Sequence, residues 1–551
     1  MGATKPISPD LSRGEFLGLA RAHADETVAI PLGVRLLADQ LTPVVAYRRL
    51  VSDDPRTSPS FLLESVEGGE RQGRYSIMGA QPTADVIATG PHAVVTGGSG
   101  HVVNAQRSVN PLLLPRELSR HVRLVAPEGA VERGELPACF LGGWVGYAGY
   151  DTVRYAEPEK LASPPRDDRG LPDLDFAFYD GVVVFDHVAK VVYVVQLALV
   201  GRGLGGGAAV DAHRAYDEAS AKLAARVAQI QRFDARPLPS GRVERALAAP
   251  APLRSNIGRD EHRGMVARAL EYIRAGDIFQ VVIGQRFERR SGADPFDVYR
   301  ALRTVNPSPY MVYMQARGCI LVASSPEILC RVRATPGGLV VTNRPLAGTR
   351  RRGATPEEDA RLERELLADA KERAEHVMLV DLGRNDVGRV ARPGSIDLPA
   401  VMEVERYSHV MHISSTVTGT LRPGLDCWDA LVAALPVGTI SGAPKVRAMQ
   451  IIDELEPVRR GPYGGGMGYV GLDGQMDIAL ALRTMVVPTA QRDGRTWMYH
   501  LQAAGGIVAD SNPDDEFQET VNKAAALARA IEVAERAFVG PGTRDDPARS
   551  S

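Results

Sequence analysis

Three glutamates, a histidine and an arginine carry the chemistry most readily read from this chain. Glu372 and Glu375 stand three residues apart in KERAEHVMLVDLGRND, so on a helix they share one face. Glu519 lies far down the chain, in DSNPDDEFQETVNKA. Carboxylates gathered from two helices are hard oxygen ligands. A set that leaves positions open to water and substrate suits Mg²⁺ better than zinc. His412 and Arg483 sit in segments that offer neither an obvious partner, and glycine-rich turns let backbone come close to a small ligand. These parts predict a metal-assisted enzyme acting on an anionic small molecule.

Holding such groups in place requires helices with defined starts. In DSNPDDEFQETVNKAAALARAIEVAERAF, Ser511 or Asn512 reads as the N-cap and Pro513 as the first helical residue. Asp514, Asp515 and Glu516 read as first-turn acids that serve the helix dipole. Glu519 lies deeper and precedes Lys523 by four residues, a spacing open to a simple ion pair or to a ligand role. TPEEDARLERELLADAKERAEHVMLVDLGRND reads as a charge-rich helix whose acids mostly form a solvated, salt-bridged face. Glu372 and Glu375 differ because the sequence turns apolar immediately afterwards, at VMLV. A carboxylate at that boundary is half-buried and needs a cation or a proton. His409 and His412, in RYSHVMHISSTVTG, are oddly spaced on a predicted strand, so at most one faces a site. A single histidine is usually structural; here one is a candidate acid–base group.

The whole chain sets wider bounds. Its 551 residues allow a large core, and 65 basic against 67 acidic residues leave a formal charge of −2. No global charge draws it to nucleic acid or to a membrane surface. Cys139, Cys319, Cys330 and Cys427 lack metal or redox spacing and are expected to stay reduced. No signal peptide or spanning apolar run is evident, so the expectation is a soluble, cytoplasmic protein. Residues 15–233 form a strand-rich N-terminal region in which DGVVVFDHVAKVVYVVQLALV reads as a hairpin. A long amphipathic helix follows the glycine-rich stretch after Val200. Residues 234–256 read as a linker, and 257–540 as a second region carrying most of the motifs. Frayed ends are expected before about residue 10 and after Gly540. Irregular alternation of helices with strands on short turns predicts an α+β fold with antiparallel sheets.

Several familiar motifs are absent or misleading. Gly466, Gly468 and Gly471 satisfy G-x-G-x-x-G, but a turn and a strand-like run follow rather than a helix able to receive a pyrophosphate. GTISGAPKVRA lacks the Walker A spacing, and neither serine nor cysteine stands in a nucleophile motif.

Taken together, DIFQVVIGQRF, NPSPYMVYM, SSPEILCRV, NRPLAGTRRRG, AEHVMLVDLGRNDVGRV, YSHVMHI, LPVGTISGAPKVRAMQIIDELEP, RGPYGGGMGYVG and AAGGIVADSNPDDEFQETVNKA resemble the motifs of the chorismate-utilising enzyme family, in that family's order. The resemblance covers nearly the whole chain. It implies two large antiparallel β-sheets packed together and flanked by helices, with the two regions interleaved. It implies Glu375 and Glu519 as Mg²⁺ ligands, and Glu372, His412 and Thr439 as catalytic residues. Glu372 would serve as the acid beside the departing C4 hydroxyl, and His412 would serve the later elimination. Gln280, Gly348, Thr349, Tyr463, Arg483, Gly505, Gly506 and Lys523 match substrate-binding positions, Tyr463 and Arg483 on the enolpyruvyl carboxylate.

Within the family, Ala347 stands in PLAGT where aminodeoxychorismate synthases commonly carry a lysine nucleophile. Gln280 stands where the water-using members place a lysine base. Both differences favour the anthranilate-forming members, which convert chorismate and ammonia to anthranilate and pyruvate through aminodeoxyisochorismate. Such an enzyme is Mg²⁺-dependent, takes the first committed step of tryptophan biosynthesis, and receives ammonia from a separate glutamine amidotransferase subunit, commonly in a heterotetramer. A synthase that stops at an aminodeoxy product, or an inactive tryptophan-binding regulatory subunit, are the alternatives. Leu63, Glu64 and Ser65 in SFLLESVEGG match the family's motif for inhibition by L-tryptophan, with Asn306, Pro307, Ser308, Tyr310 and Met311 as the other wall.

Overall fold

Near-continuous apolar runs such as VVYVVQLALV give strands that bury both faces, and the chain covers them by stacking two sheets and flanking them with helices. A computed structural model of the chain describes residues 8–51, 56–67, 71–98, 102–232, 238–242, 253–407 and 410–539. One sheet has 14 strands and the other 12, almost all paired antiparallel. Thr27–Leu37 against Val122–Leu124 is a parallel pair.

Strands from both sides of the expected linker enter both sheets. In the larger sheet Ser60–Glu67 pairs with Tyr310–Gln315, setting Leu63 opposite Val312. In the smaller, Gly143–Ala148 pairs with Gly466–Gly471, setting Gly146 opposite Gly468. A Cβ on Gly146 would lie 1.9 Å from the Asp175 carbonyl oxygen, so this crowded seam requires glycine. The glycine-rich GMGYVG segment is therefore a strand, with no helix behind it. The far end of the expected linker, Arg254–Ser255, joins the larger sheet beside Gln280–Ser291.

The helices flank the sheets. Asn512 caps Pro513–Ala534, its side chain accepting from the Asp514 and Asp515 amides, which settles the N-cap in its favour over Ser511. The charged stretch read as one helix is two, Pro356–Ala368 and Ala370–Gly388. They break at Asp369, whose extended backbone lets its carboxylate accept from the Lys371 and Glu372 amides. The break points the second helix, with Glu372 in its first turn, along a new axis. Among the described residues no helix is long and apolar enough to cross a membrane. His409 lies outside the described residues.

Candidate active site

Long-range pairing brings the first-named residues together. The ends of two paired strands, Gln280–Ser291 and Trp497–Ile507, meet the N-terminal turns of the Ala370–Gly388 and Pro513–Ala534 helices around a cavity of about 560 Å³. Its lining includes Glu372, Glu375, His412, Thr439, Arg483 and Glu519. Gln280, Gly348, Thr349, Tyr463, Gly506 and Lys523 also face it. Gly505 does not; a Cβ there would stand 2.8 Å from Glu516 Oε2, so it gives that carboxylate room from behind. Such a volume suits a small ligand.

Acids crowd one part of the cavity. Glu375 is half-buried, accepts from Gln280 Nε2 at 3.2 Å, and is pushed above the usual carboxylate range by burial and then by Glu372. Glu516, read from sequence as a dipole acid, lines the same space and takes a hydrogen bond from Ser511 Oγ at 2.7 Å. Burial is the largest cause raising its pKa also. Glu372 pairs with Arg350 Nη1 at 3.0 Å, and Glu519 with Lys523 Nζ at 2.5 Å.

A divalent cation fits this region by its donor chemistry. Among the described residues no three metal-binding side chains already converge on one point, because each glutamate has turned to a separate neighbour. Three buried oxygens, Glu516 Oε2, Gln280 Oε1 and Gln502 Oε1, find no hydrogen-bond partner among the described residues. Four carboxylates and orphaned amide oxygens are the hard donors Mg²⁺ takes, and Mg²⁺ needs only one or two carboxylates when water and substrate complete its shell.

Arg483 is the complementary feature. It stands at φ +45°, an uncommon backbone conformation for a side-chain-bearing residue, and is half-buried in the cavity wall. Burial lowers its pKa, and no acceptor or carboxylate among the described residues holds its guanidinium. A half-buried, unpaired cation lining a cavity is a seat for an anion.

Two groups can move protons. His412 pairs in register with Thr349 across adjacent strands, and a bulge between Ala347 and Thr349 turns Gly348 (φ +66°) so that its carbonyl lies 3.0 Å from His412 Nδ1. With Nδ1–H donating to that carbonyl, Nε2 keeps its lone pair. Burial holds the imidazole neutral, its pKa lowered to about 4. Glu327, in the SSPEILCRV segment, is 4% exposed, and desolvation raises its carboxyl to about 8. Thr439 Oγ1 donates to Glu327 Oε1 at 3.1 Å. Glu327 is thus a carboxylic acid at neutral pH, in the same cavity. Sequence reading passed over it; its signal was a lone acid between Pro326 and an apolar strand run.

Comparison with known proteins agrees with this geometry. The sequence profile of the family described as chorismate binding enzyme matches residues 58–529. The chain is 51% identical over 551 residues to anthranilate synthase alpha subunit 1, chloroplastic, of Arabidopsis thaliana, covering 97% of this chain and 90% of that protein. It is 44% identical over 529 residues to anthranilate synthase component 1 of Pseudomonas aeruginosa, covering 96% and 99%. The chain belongs to the chorismate-binding enzymes. Within them it stands with the anthranilate synthase large subunits. The crystal structure of anthranilate synthase component I from Streptococcus pneumoniae superposes with a TM-score of 0.67 at 34% identity, covering 90% of this chain and 98% of that one. The menaquinone-specific isochorismate synthase of Escherichia coli shares the fold, with a TM-score of 0.63 at 18% identity over 94% and 98% of the two chains.

This chorismate-binding enzyme has a second cavity of about 720 Å³, at the junction between its N-terminal and C-terminal strands. Leu63, Glu64, Ser65, Tyr310 and Met311 line it, as does Pro309. Asn306, Pro307 and Ser308 do not. Ser324 Oγ donates to the Asn306 carbonyl and accepts from the Ser308 hydroxyl, tying them to the strand behind. Glu64 is nearly buried and already engaged, by Tyr299 OH at 2.6 Å and Arg303 Nε at 2.8 Å. Pro326 and Leu346 line both cavities, so one thin wall separates them beside Glu327.

Proposed function

We propose that the chain is the ammonia-using synthase subunit that turns chorismate into anthranilate and pyruvate. The observation that carries this reading is one cavity holding an acid cluster short of cations, an unpaired Arg483, a protonated Glu327 and a neutral His412. Chorismate has two carboxylates, so a cation for each fixes its orientation before any bond changes. Arg483, with Tyr463 beside it in the lining, receives the enolpyruvyl carboxylate. Glu375 and Glu519 would hold Mg²⁺, which would supply positive charge for the ring carboxylate, and Glu372 and Glu516 line the same cavity.

In the first step the ammonia nitrogen bonds to C2, the C1=C2 and C5=C6 double bonds shift to C1=C6 and C4=C5, the C4–O bond breaks, and the new ammonium gives one proton to water. Hydroxide is a poor leaving group, so a proton delivered to that oxygen makes it water. Glu327 fits this task better than Glu372, because Glu372 is committed to Arg350 as an ion pair, which uses the anion and not the acid. A positioned acid contributes about 10²–10⁴-fold. In the second step the C2 proton leaves and the C3–O bond breaks, releasing enolpyruvate that tautomerises to pyruvate; the ring becomes aromatic. The free Nε2 of His412 supports its assignment as the base.

Ammonia rather than water or a lysine amine is supported by the lysines of the lining. Lys371 is paired with Asp510 at 3.0 Å, and Lys523 with Glu519 and the Ala504 carbonyl. Gln280 and Ala347 face the cavity and supply neither amine nor base. The ammonia comes from a glutamine amidotransferase partner. The second cavity takes L-tryptophan as feedback inhibitor: it combines aromatic walls such as Phe140 and Tyr469 with charges of both signs. Its shared wall with the catalytic cavity offers a short route for coupling, provided tryptophan binds two conformations unequally.

The test is anthranilate fluorescence from the purified chain with chorismate, Mg²⁺ and ammonium, with and without tryptophan. Fluorescence that grows and is suppressed by tryptophan is expected. Chorismate loss without fluorescence would indicate an aminodeoxy product instead, and persistence of chorismate even with a glutaminase partner would sink the catalytic reading.

A further inference from the structure

Behind the catalytic cavity lies an ion pair almost sealed from water. Arg460 and Glu456, four residues apart in the segment that follows the Lys445–Leu455 helix, are 1% and 3% exposed and meet at 2.6 Å. The contact is bidentate, Arg460 Nε reaching Glu456 Oε2 at 2.9 Å and Nη2 reaching Oε1 at 2.6 Å. Its remaining donors leave the pair: Nη1 donates to the Ile440 carbonyl and Nη2 to the Val282 carbonyl, each at 2.7 Å. Glu456 Oε1 also accepts from the Gly284 amide at 2.8 Å. The guanidinium lies 4.6 Å from the centre of the Tyr150 ring, which fixes its plane.

Ile440 and Val282 both line the catalytic cavity, and Ile440 follows Thr439, whose hydroxyl holds Glu327. Val282 belongs to the strand Gln280–Ser291, two residues from Gln280. One side chain thus joins the Gly438–Ser441 turn, the strand Gln280–Ser291 near one end of the larger sheet, and the segment leading to Tyr463. A buried ion pair is weak evidence for stability by itself, since apolar residues of like volume often serve as well. Apolar residues would not hold two carbonyls of the cavity wall at fixed spacing.

We propose that Arg460, held by Glu456, is a positioning residue for catalysis: by anchoring the carbonyls of Ile440 and Val282 it sets the Thr439 hydroxyl against Glu327. The proposal rests on the reading of Glu327 as proton donor.

Arg460→Lys keeps the charge facing Glu456 but replaces a planar fork with a single ammonium, which cannot reach both carbonyls and the carboxylate. In the full-length chain with chorismate, Mg²⁺ and ammonium, kcat is expected to fall about 10–100-fold while chorismate KM changes less than about three-fold. In a Thr439→Val background the same change costs little further kcat, because both act through one contact. A folded Arg460→Lys with kcat within about two-fold of the parent, or a loss that multiplies in full with that of Thr439→Val, overturns the proposal. Should the lysine variant not fold, Glu456→Gln goes through the same cycle, since it keeps the side chain's size but replaces one of the two acceptor oxygens with an amide donor, breaking the bidentate grip on Arg460. Glu327→Gln separates the two claims: retained turnover there overturns the donor reading and this proposal together. Lost turnover there, with full multiplication in the cycle, overturns this proposal alone.

Discussion

Replacing Glu327 by glutamine is expected to stabilise the protein and disable it in the same stroke. Desolvation carries this carboxyl from an ordinary 4.5 up to about 8, against the opposing pull of the Thr439 hydroxyl and the Leu346 amide. The unfolded chain loses the proton near the ordinary value; the folded chain keeps it until about 8. The group's contribution to stability is therefore fully present at low pH and lost as pH rises through that window. The loss amounts to about 1.4 kcal/mol per pH unit, or roughly 3 kcal/mol by pH 7. Glutamine has nearly the same shape, still accepts from Thr439, and has no proton to lose. The stability gap between variant and parent should widen steadily from about pH 5 to pH 8 and then level off. With an unfolding entropy of about 2.1 cal/mol/K per residue over 551 residues, that is on the order of 1 °C in Tm per pH unit. Scanning calorimetry of both proteins across this range reads it, and anthranilate fluorescence reads the accompanying loss of about 10²–10⁴-fold in kcat. Parallel Tm curves would refute the assignment of a buried, protonated carboxyl. Turnover within about ten-fold of the parent would refute its role as acid.

Other perturbations address the remaining groups. Arg483→Met removes a half-buried, unpaired cation and is expected to raise chorismate KM about 30-fold, equivalent to roughly 2 kcal/mol, without lowering Tm; an unchanged KM would take the carboxylate elsewhere. Glu375→Gln should raise the Mg²⁺ concentration for half-activation by about ten-fold or more while the thermal transition holds or rises, because burial already disfavours the anion. A Mg²⁺ titration identical to the parent's would remove Glu375 from the metal site. Ser65 Oγ lies 1.7 Å from where a Cβ on Gly73 would stand, so bulk at Ser65 has no room across the hairpin and must enter the cavity. Ser65→Phe should then raise the tryptophan concentration for half-inhibition by at least about ten-fold, some 1.4 kcal/mol; unaltered sensitivity would move the inhibitor to another site.

Features written in short stretches of sequence were legible without coordinates. The cap and proline that start Pro513–Ala534 act within one turn, and Glu372 and Glu375 share a face by spacing alone. The residues after GMGYVG were correctly read as a turn and a strand rather than a helix, because nothing there can start one. Where a local explanation was sufficient, it hid a distant one. Glu516 serves equally well as a first-turn acid, and only the approach of the Trp497–Ile507 strand brings it into the cavity. The break at Asp369 was missed because its flanking residues all favour helix, while a capping carboxylate outweighs them at one position.

The sequence by itself determined the family, the kinds of element, and most of the side chains that reach the cavity, since motif order, helix starts and alternating strands are properties of neighbouring residues. Only the tertiary structure decided what those side chains are chemically. Glu327 holds a proton, His412 is neutral and Arg483 stays unpaired because strands far apart in the chain close around them and exclude water. Desolvation is a sum over everything that packs nearby, and no local pattern encodes it.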